Sequence, residues 1–132
     1  MKIGKLPEPV LIRSVLKQVK HRRPEVLVGP SVGQDCAALQ VGPEEVLVMS
    51  TDPITGTVKD LGSHCIHITA NDLAASGAEP LGVMLTILLP DTMEEPQLRR
   101  LMQEAEKTCE ELNIEVLGGH TEITNVVRQP LI

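Results

Sequence analysis

Four short stretches carry the residue types that could do chemistry: "GQDCAAL", "STD", "ANDLAASGAEPLG" and "LGGHTEI". They supply Asp35, Asp52, the pair Asn71-Asp72, and Gly118-Gly119-His120-Thr121-Glu122. Carboxylates are hard oxygen donors, suited to magnesium, which keeps several waters and needs only a few protein ligands beside a phosphorylated substrate. Glycines let backbone N–H groups approach a phosphate closely. Each stretch also has a plainer reading. Asp52 before Pro53 could simply begin a turn, Asp35 could be a loop carboxylate, and Gly118-Gly119 could be a hairpin turn. Asn71-Asp72 resists such a reading. Both residues compete with the backbone for hydrogen bonds and are poor choices inside a helix.

Other chemistries are weaker. His64, His67 and Asn71 fall on one helical face, but a zinc site there lacks a third strong ligand. Cys36, Cys65 and Cys109 show no CxxC spacing and no base beside them, so they read as buried thiols in a reducing compartment. Neither GxxxxGK[ST] nor GxGxxG occurs.

The elements that must position these residues follow from apolar period and punctuation. A first helix is expected within residues 6–26, entered through Pro7 and Pro9 and stopped by Pro24. Residues 25–29 read as a short strand or arm, residues 29–41 as a glycine-containing loop running into an apolar segment, and residues 46–50 as a buried strand. Residues 53–62 read as a loop. A second helix should run from an N-cap at Ser63 to a stop at Gly77. "LGVMLTILLP" is the most apolar strand, ended by Pro90. A third helix over residues 91–113 has apolar residues at helical spacing and a cap at Asp91 or Thr92. A strand, a Gly-Gly turn and a further strand complete the chain. The pattern is α+β, an α/β sandwich: a mixed β-sheet with helices on one face.

The 132 residues fit one domain, residues 1–132. The chain contains no Phe, Tyr or Trp, which excludes base-stacking platforms and leaves a core of Val, Ile, Leu, Met and Ala. A formal net charge of −6 argues against nucleic-acid binding, and "KQVKHRR" reads as the solvated end of a helix. No apolar run is long enough to span a bilayer, and no signal-peptide pattern opens the chain, so a cytoplasmic protein is expected.

Taken in order and at their spacings, the four stretches resemble the N-terminal half of the aminoimidazole ribonucleotide synthetase (PurM-like) superfamily. Its members include that purine enzyme, the hydrogenase maturation protein HypE, thiamine-monophosphate kinase and selenophosphate synthetase. The resemblance runs from "KIGKLP" to "VVRQPLI" and looks closest to HypE-like proteins. It implies an ATP- and Mg²⁺-binding, dimer-forming domain whose sheets pair in a homodimer. In HypE-like proteins ATP drives dehydration of a thiocarboxamide to a thiocyanate, with a carbamoyl-transfer partner protein, for a nickel-iron centre. Position by position it implies Asp35, Asp52 and Asp72 as magnesium ligands. Asn71, Gly118, Gly119, His120 and Thr121 would lie against ATP and its phosphates. Two residues depart from the pattern: His120 stands where many relatives have Asp, and Gln34 where many have a second carboxylate. The resemblance further implies a missing C-terminal domain, so the 132-residue fragment alone is expected to be inactive. The alternatives are a thiamine-monophosphate-kinase-like or phosphoribosyl-aminoimidazole-synthetase-like ATP-dependent enzyme, and a non-catalytic dimerisation module with a decayed ATP site.

Overall fold

"CAALQ" and "VLVMS" are short, rich in Val, Leu and Ala, and separated by a Gly-Pro turn, a combination that favours a hairpin. In the computed structural model, which describes residues 4–55 and 59–132, they form β2 (Cys36–Gln40) and β3 (Val46–Ser50). The two are antiparallel, in register from Cys36 opposite Ser50 to Gln40 opposite Val46. Within the turn Val41 N–H donates to the Glu45 carbonyl at 3.0 Å. β1 (Val26–Val28) pairs with the other edge of β2, giving the order β1-β2-β3. The expected burial of β3 is not found: Val46, Leu47 and Met49 are exposed. The first helix is also shorter than expected. α1 covers only Glu8–Ser14, followed by one 3₁₀ turn at Leu16–Gln18. None of its residues is buried. A helix this short, whose apolar residues Val10, Leu11 and Ile12 are only half-buried, gains too little to offset its nucleation cost and does not propagate to Pro24.

These elements belong to the first of two compact units, Met1–Ser50; the second is Thr51–Ile132. The second unit contains α2 (Leu61–Ala75), β4 (Gly82–Leu89), α3 (Glu95–Leu112) and β5 (Glu115–Ile123). The chain is thus mixed α and β, as its pattern implies. Among the described residues the strands form an antiparallel three-stranded sheet and a parallel pair, β4-β5. Alternation along β4 buries Leu85, Ile87 and Leu89 and leaves Met84 exposed. The buried row packs with Leu61, Cys65 and Ile66 of α2 and Leu101, Ala105 and Cys109 of α3. Both helices therefore cover one face of the pair. Gly62 permits their close approach, since a Cβ there would strike the Leu101 carbonyl and lie 2.9 Å from the Ala105 nitrogen.

Helix ends differ from the expected caps. α2 begins at Leu61, after Asp60 in the left-handed region (φ 54°). Ser63 is not its cap. The Ser63 hydroxyl instead accepts a hydrogen bond from the buried Thr108 hydroxyl of α3, at 2.9 Å. At the other end Gly77 (φ 75°) stops α2 as expected, with Ala78 N–H donating to the Leu73 carbonyl at 3.0 Å. The cap of α3 is Glu94, not Asp91 or Thr92. Glu94 N–H donates to Gln97 Oε1 at 2.8 Å, half of a capping box.

The Gly-Gly turn is absent as well. Gly118 and Gly119 lie inside the continuous strand β5. Register shifts between Val83 and Met84, so that Leu117 is the extra residue of a bulge. Both glycines adopt φ near +148°, a region closed to L-residues with side chains. A Cβ on Gly119 would collide with the Leu85 carbonyl, so the fold itself requires glycine there. Of the loop expected over residues 53–62, residues 56–58 lie outside the described residues, as do residues 2–3 of the opening "KIGKLP".

Candidate functional site

The bulge and the glycine pair set which way the following residues point. His120 is in register with Thr86, and Thr121 with Ile87. Thr86 is exposed, between the core residues Leu85 and Ile87. His120 therefore lies on the face turned away from α2 and α3. Two residues on, Glu122 shares that face, its Oε2 3.3 Å from His120 Nε2. Both are exposed, and the pair makes a weak, solvent-screened contact. Gly118 precedes them with open space where a Cβ would stand: nothing lies within 4 Å. Gly118 and Gly119 are both exposed, so the backbone here is open to a ligand.

Asn71 and Asp72 lie in the last turns of α2. Asn71 is exposed and Asp72 half-buried, with Leu73 buried after them. The Asp72 carbonyl accepts hydrogen bonds from Ser76 N–H at 3.2 Å and Ser76 Oγ at 3.0 Å. A carboxylate here faces the negative end of the helix dipole, and the last turn carries no basic residue.

Asp52 is exposed, two residues beyond β3. It precedes Ile54, which is buried and donates its N–H to the Ile132 carbonyl at 2.6 Å. Asp35 belongs to the first unit, just before β2, and its carbonyl accepts the Ser50 hydroxyl at 3.3 Å. Gln34 donates through Nε2 to the Cys36 carbonyl at 2.9 Å. A carboxylate, which only accepts when ionised, could not make that bond. The residue that departs from the acidic pattern thus ties down its own loop.

No group of three or more His, Cys, Asp or Glu among the described residues is arranged to hold a metal ion. The carboxylates are of the right hard-oxygen type for magnesium but do not form an all-protein cage. An ion arriving with a polyphosphate needs only one or two of them. The zinc reading of His64 and His67 gains nothing: both are exposed, and His64 Nδ1 lies 2.8 Å from the Asp60 carbonyl. All three cysteines are buried, as expected. Burial pushes the Cys65 thiol up to about 11. Cys109 is also raised, first by burial and then by the charge of Glu106. Thiols so shifted are poor nucleophiles near neutrality. Sequence reasoning missed a separate feature, a cavity of about 600 Å³ at the N-terminal end of α2. None of Asp35, Asp52, Asn71, Asp72 or residues 118–121 lines it. Among the described residues no helix is long and apolar enough to cross a membrane.

Residues 33–132 match the family described as AIR synthase related protein, N-terminal domain. A hydrogenase expression/formation protein of Methanocaldococcus jannaschii is 23% identical over 133 residues, covering 98% of this chain and 40% of its own length. A selenide, water dikinase of Carboxydothermus hydrogenoformans is 30% identical over 117 residues, covering 86% of this chain and 34% of its own length. Among solved structures, AaThiL complexed with AMPPCP and TMP superposes with a TM-score of 0.69 at 17% identity, over 98% of this chain and 42% of that one. The chain spans about two fifths or less of the length of these relatives. With three quarters of its length matched, the chain belongs to the AIR synthase related family and carries its N-terminal domain.

Proposed function

We propose that this chain is the ATP-binding, dimer-forming part of a HypE-like enzyme that acts in the cytoplasm, dehydrating a thiocarboxamide in nickel-iron hydrogenase maturation. The hydrogenase expression/formation relative, aligned over almost the whole chain, supports the activity. One observation of the molecule carries the nucleotide reading: Asn71 and Asp72, both poor helix-interior residues, fall together in the last turns of α2, where the dipole disfavours a carboxylate. An ATP analogue in a structural relative agrees with this reading.

In this reading Asp35, Asp52 and Asp72 hold magnesium, which neutralises phosphate charge and orients the phosphoryl groups. The open Gly118 backbone lets phosphate approach β5. His120 donates a hydrogen bond to phosphate, because a neutral imidazole is a poor magnesium ligand. Thr121 and Asn71 supply further polar contacts. The homodimer is supported by exposed apolar side chains on both sheets, among them Leu47, Met49, Met84 and Leu117. A carbamoyl-transfer protein is the expected partner.

Calorimetric titration of the full-length protein with Mg·ATP tests the reading. Saturable heat, reduced at least tenfold in affinity by Asp72→Asn, is expected. No heat at millimolar nucleotide would move the decayed dimerisation module ahead. A second reading is a phosphoryl-transferring relative. The 30% identity to a selenide, water dikinase favours it, as does His120 after the double glycine, a combination that resembles selenophosphate synthetases. Release of phosphate from ATP that depends on a thiocarboxamide, rather than on selenide, separates the two.

A further inference from the structure

The cavity at the N-terminal end of α2 has no part in the reading above. Its volume of about 600 Å³ is in the range of small-molecule sites. It lies about 16 Å along the helix axis from Asp72, from the rise of 1.5 Å per residue. Its floor is apolar and buried: Leu61 of α2, Leu101 of α3 and Pro130. Its charged lining sets Lys59, Arg100 and Arg128 against Asp60 and Glu104, a small positive excess in an otherwise acidic chain. Arg100 and Arg128 both line it. Arg100 Nε donates to Glu104 Oε1 at 3.1 Å, which leaves the two guanidinium NH₂ groups for a second acceptor. Arg128 makes no hydrogen bond or ion pair among the described residues. Guanidinium forks match carboxylate and phosphate oxygens.

The geometry points to a binding site for a small organic anion, with its apolar body on the Leu61-Leu101-Pro130 floor and its phosphate or carboxylate head between Arg100 and Arg128. The apolar floor supplies burial and the two arginines select for charge. The site stands whether or not the chain binds ATP, because the two sets of residues do not overlap.

The test is a titration of the ¹⁵N-labelled full-length protein, followed by TROSY spectra, with phenyl phosphate, benzoate and neutral benzyl alcohol as probes. Saturable shifts are expected at the amides of Leu61, Leu101 and Gln129 with either anion, with a Kd of about 1 mM or tighter. Arg128→Glu and Arg100→Gln should each weaken binding roughly tenfold. Both positions are exposed, so the fold should persist, which the unchanged remainder of each spectrum checks. Response to one anion only would name the headgroup. Benzyl alcohol binding as well as the anions, shifts confined to residues 118–121, or no shift at these amides at about 10 mM would each overturn the site.

Discussion

The two compact units solve the problem of burial differently. Among the described residues the first, Met1–Ser50, buries one apolar side chain, Cys36. Its sheet leaves Leu27, Val46, Leu47 and Met49 exposed. The second, Thr51–Ile132, holds a continuous core from Ile54 through α2, β4 and α3 to Ile132. Each ordered residue costs about 1–2 kcal/mol of backbone entropy, and only burial on the scale of the second unit offsets that. The second unit is therefore built to support itself. The first leaves much of its apolar sheet surface exposed, which fits the proposed dimer.

The contrast can be broken most directly by amide hydrogen exchange. In dilute samples β2 and β3 should exchange roughly a thousandfold faster than β4 and α3, a gap of about 4 kcal/mol. Their protection should rise with protein concentration. Equal protection at every concentration would erase the difference between the units. Next in size is Gly62→Ala, whose methyl would strike the Leu101 carbonyl of the facing helix. It should cost about 3 kcal/mol in denaturant unfolding; a loss under about 0.5 kcal/mol would mean that α2 and α3 can separate cheaply.

The pH dependence sharpens the contrast further, because the shifted thiols are in the second unit. Cys65 moves from an ordinary 9.0 to about 11 in the folded state. Between those values the unfolded chain has lost the proton that the folded chain keeps. Stability should therefore fall as pH rises through that window, by up to about 2.5 kcal/mol, and be flat below it. Cys65→Ala should remove most of the slope; an unchanged slope would assign it elsewhere. The smallest pair compares one substitution in each unit. Ile66→Val, in a fully buried position, should cost about 1 kcal/mol. Leu47→Ser, in an exposed one, should stay within about 0.5 kcal/mol in a monomeric sample.

Strands and helices with strong internal periodicity were legible from sequence. β3 and β4 lie where their apolar runs place them, and α3 where its apolar stripe does, because those patterns are local. The ends were less legible. Ser63 looks like a cap, yet its hydroxyl bonds Thr108, 45 residues away in sequence, a partner no local rule can see. Gly118-Gly119 reads as a turn by dipeptide rules, yet it lies within β5, because the Leu85 carbonyl approaches Gly119 from the next strand. Among the candidate acids only Asp72, beside Asn71 within a helix, is out of keeping with its local sequence; Asp35 and Asp52 sit where loop carboxylates are ordinary. Arg100 and Arg128 carried no such signal, since they are ordinary surface arginines until folding brings residues 59–61, 97–104 and 128–130 around one cavity.

By itself the sequence determined the types of α2, α3, β3 and β4, the stop of α2 at Gly77, the buried state of all three cysteines and the family, since each rests on short-range pattern or on ordered motifs. The tertiary structure decided that the strands divide into an antiparallel sheet and a parallel pair, that β3 is exposed, and that His120 faces away from the helices. Those outcomes depend on which backbone meets which across long sequence separations. Pairing register and burial are properties of such meetings, and no single segment carries them.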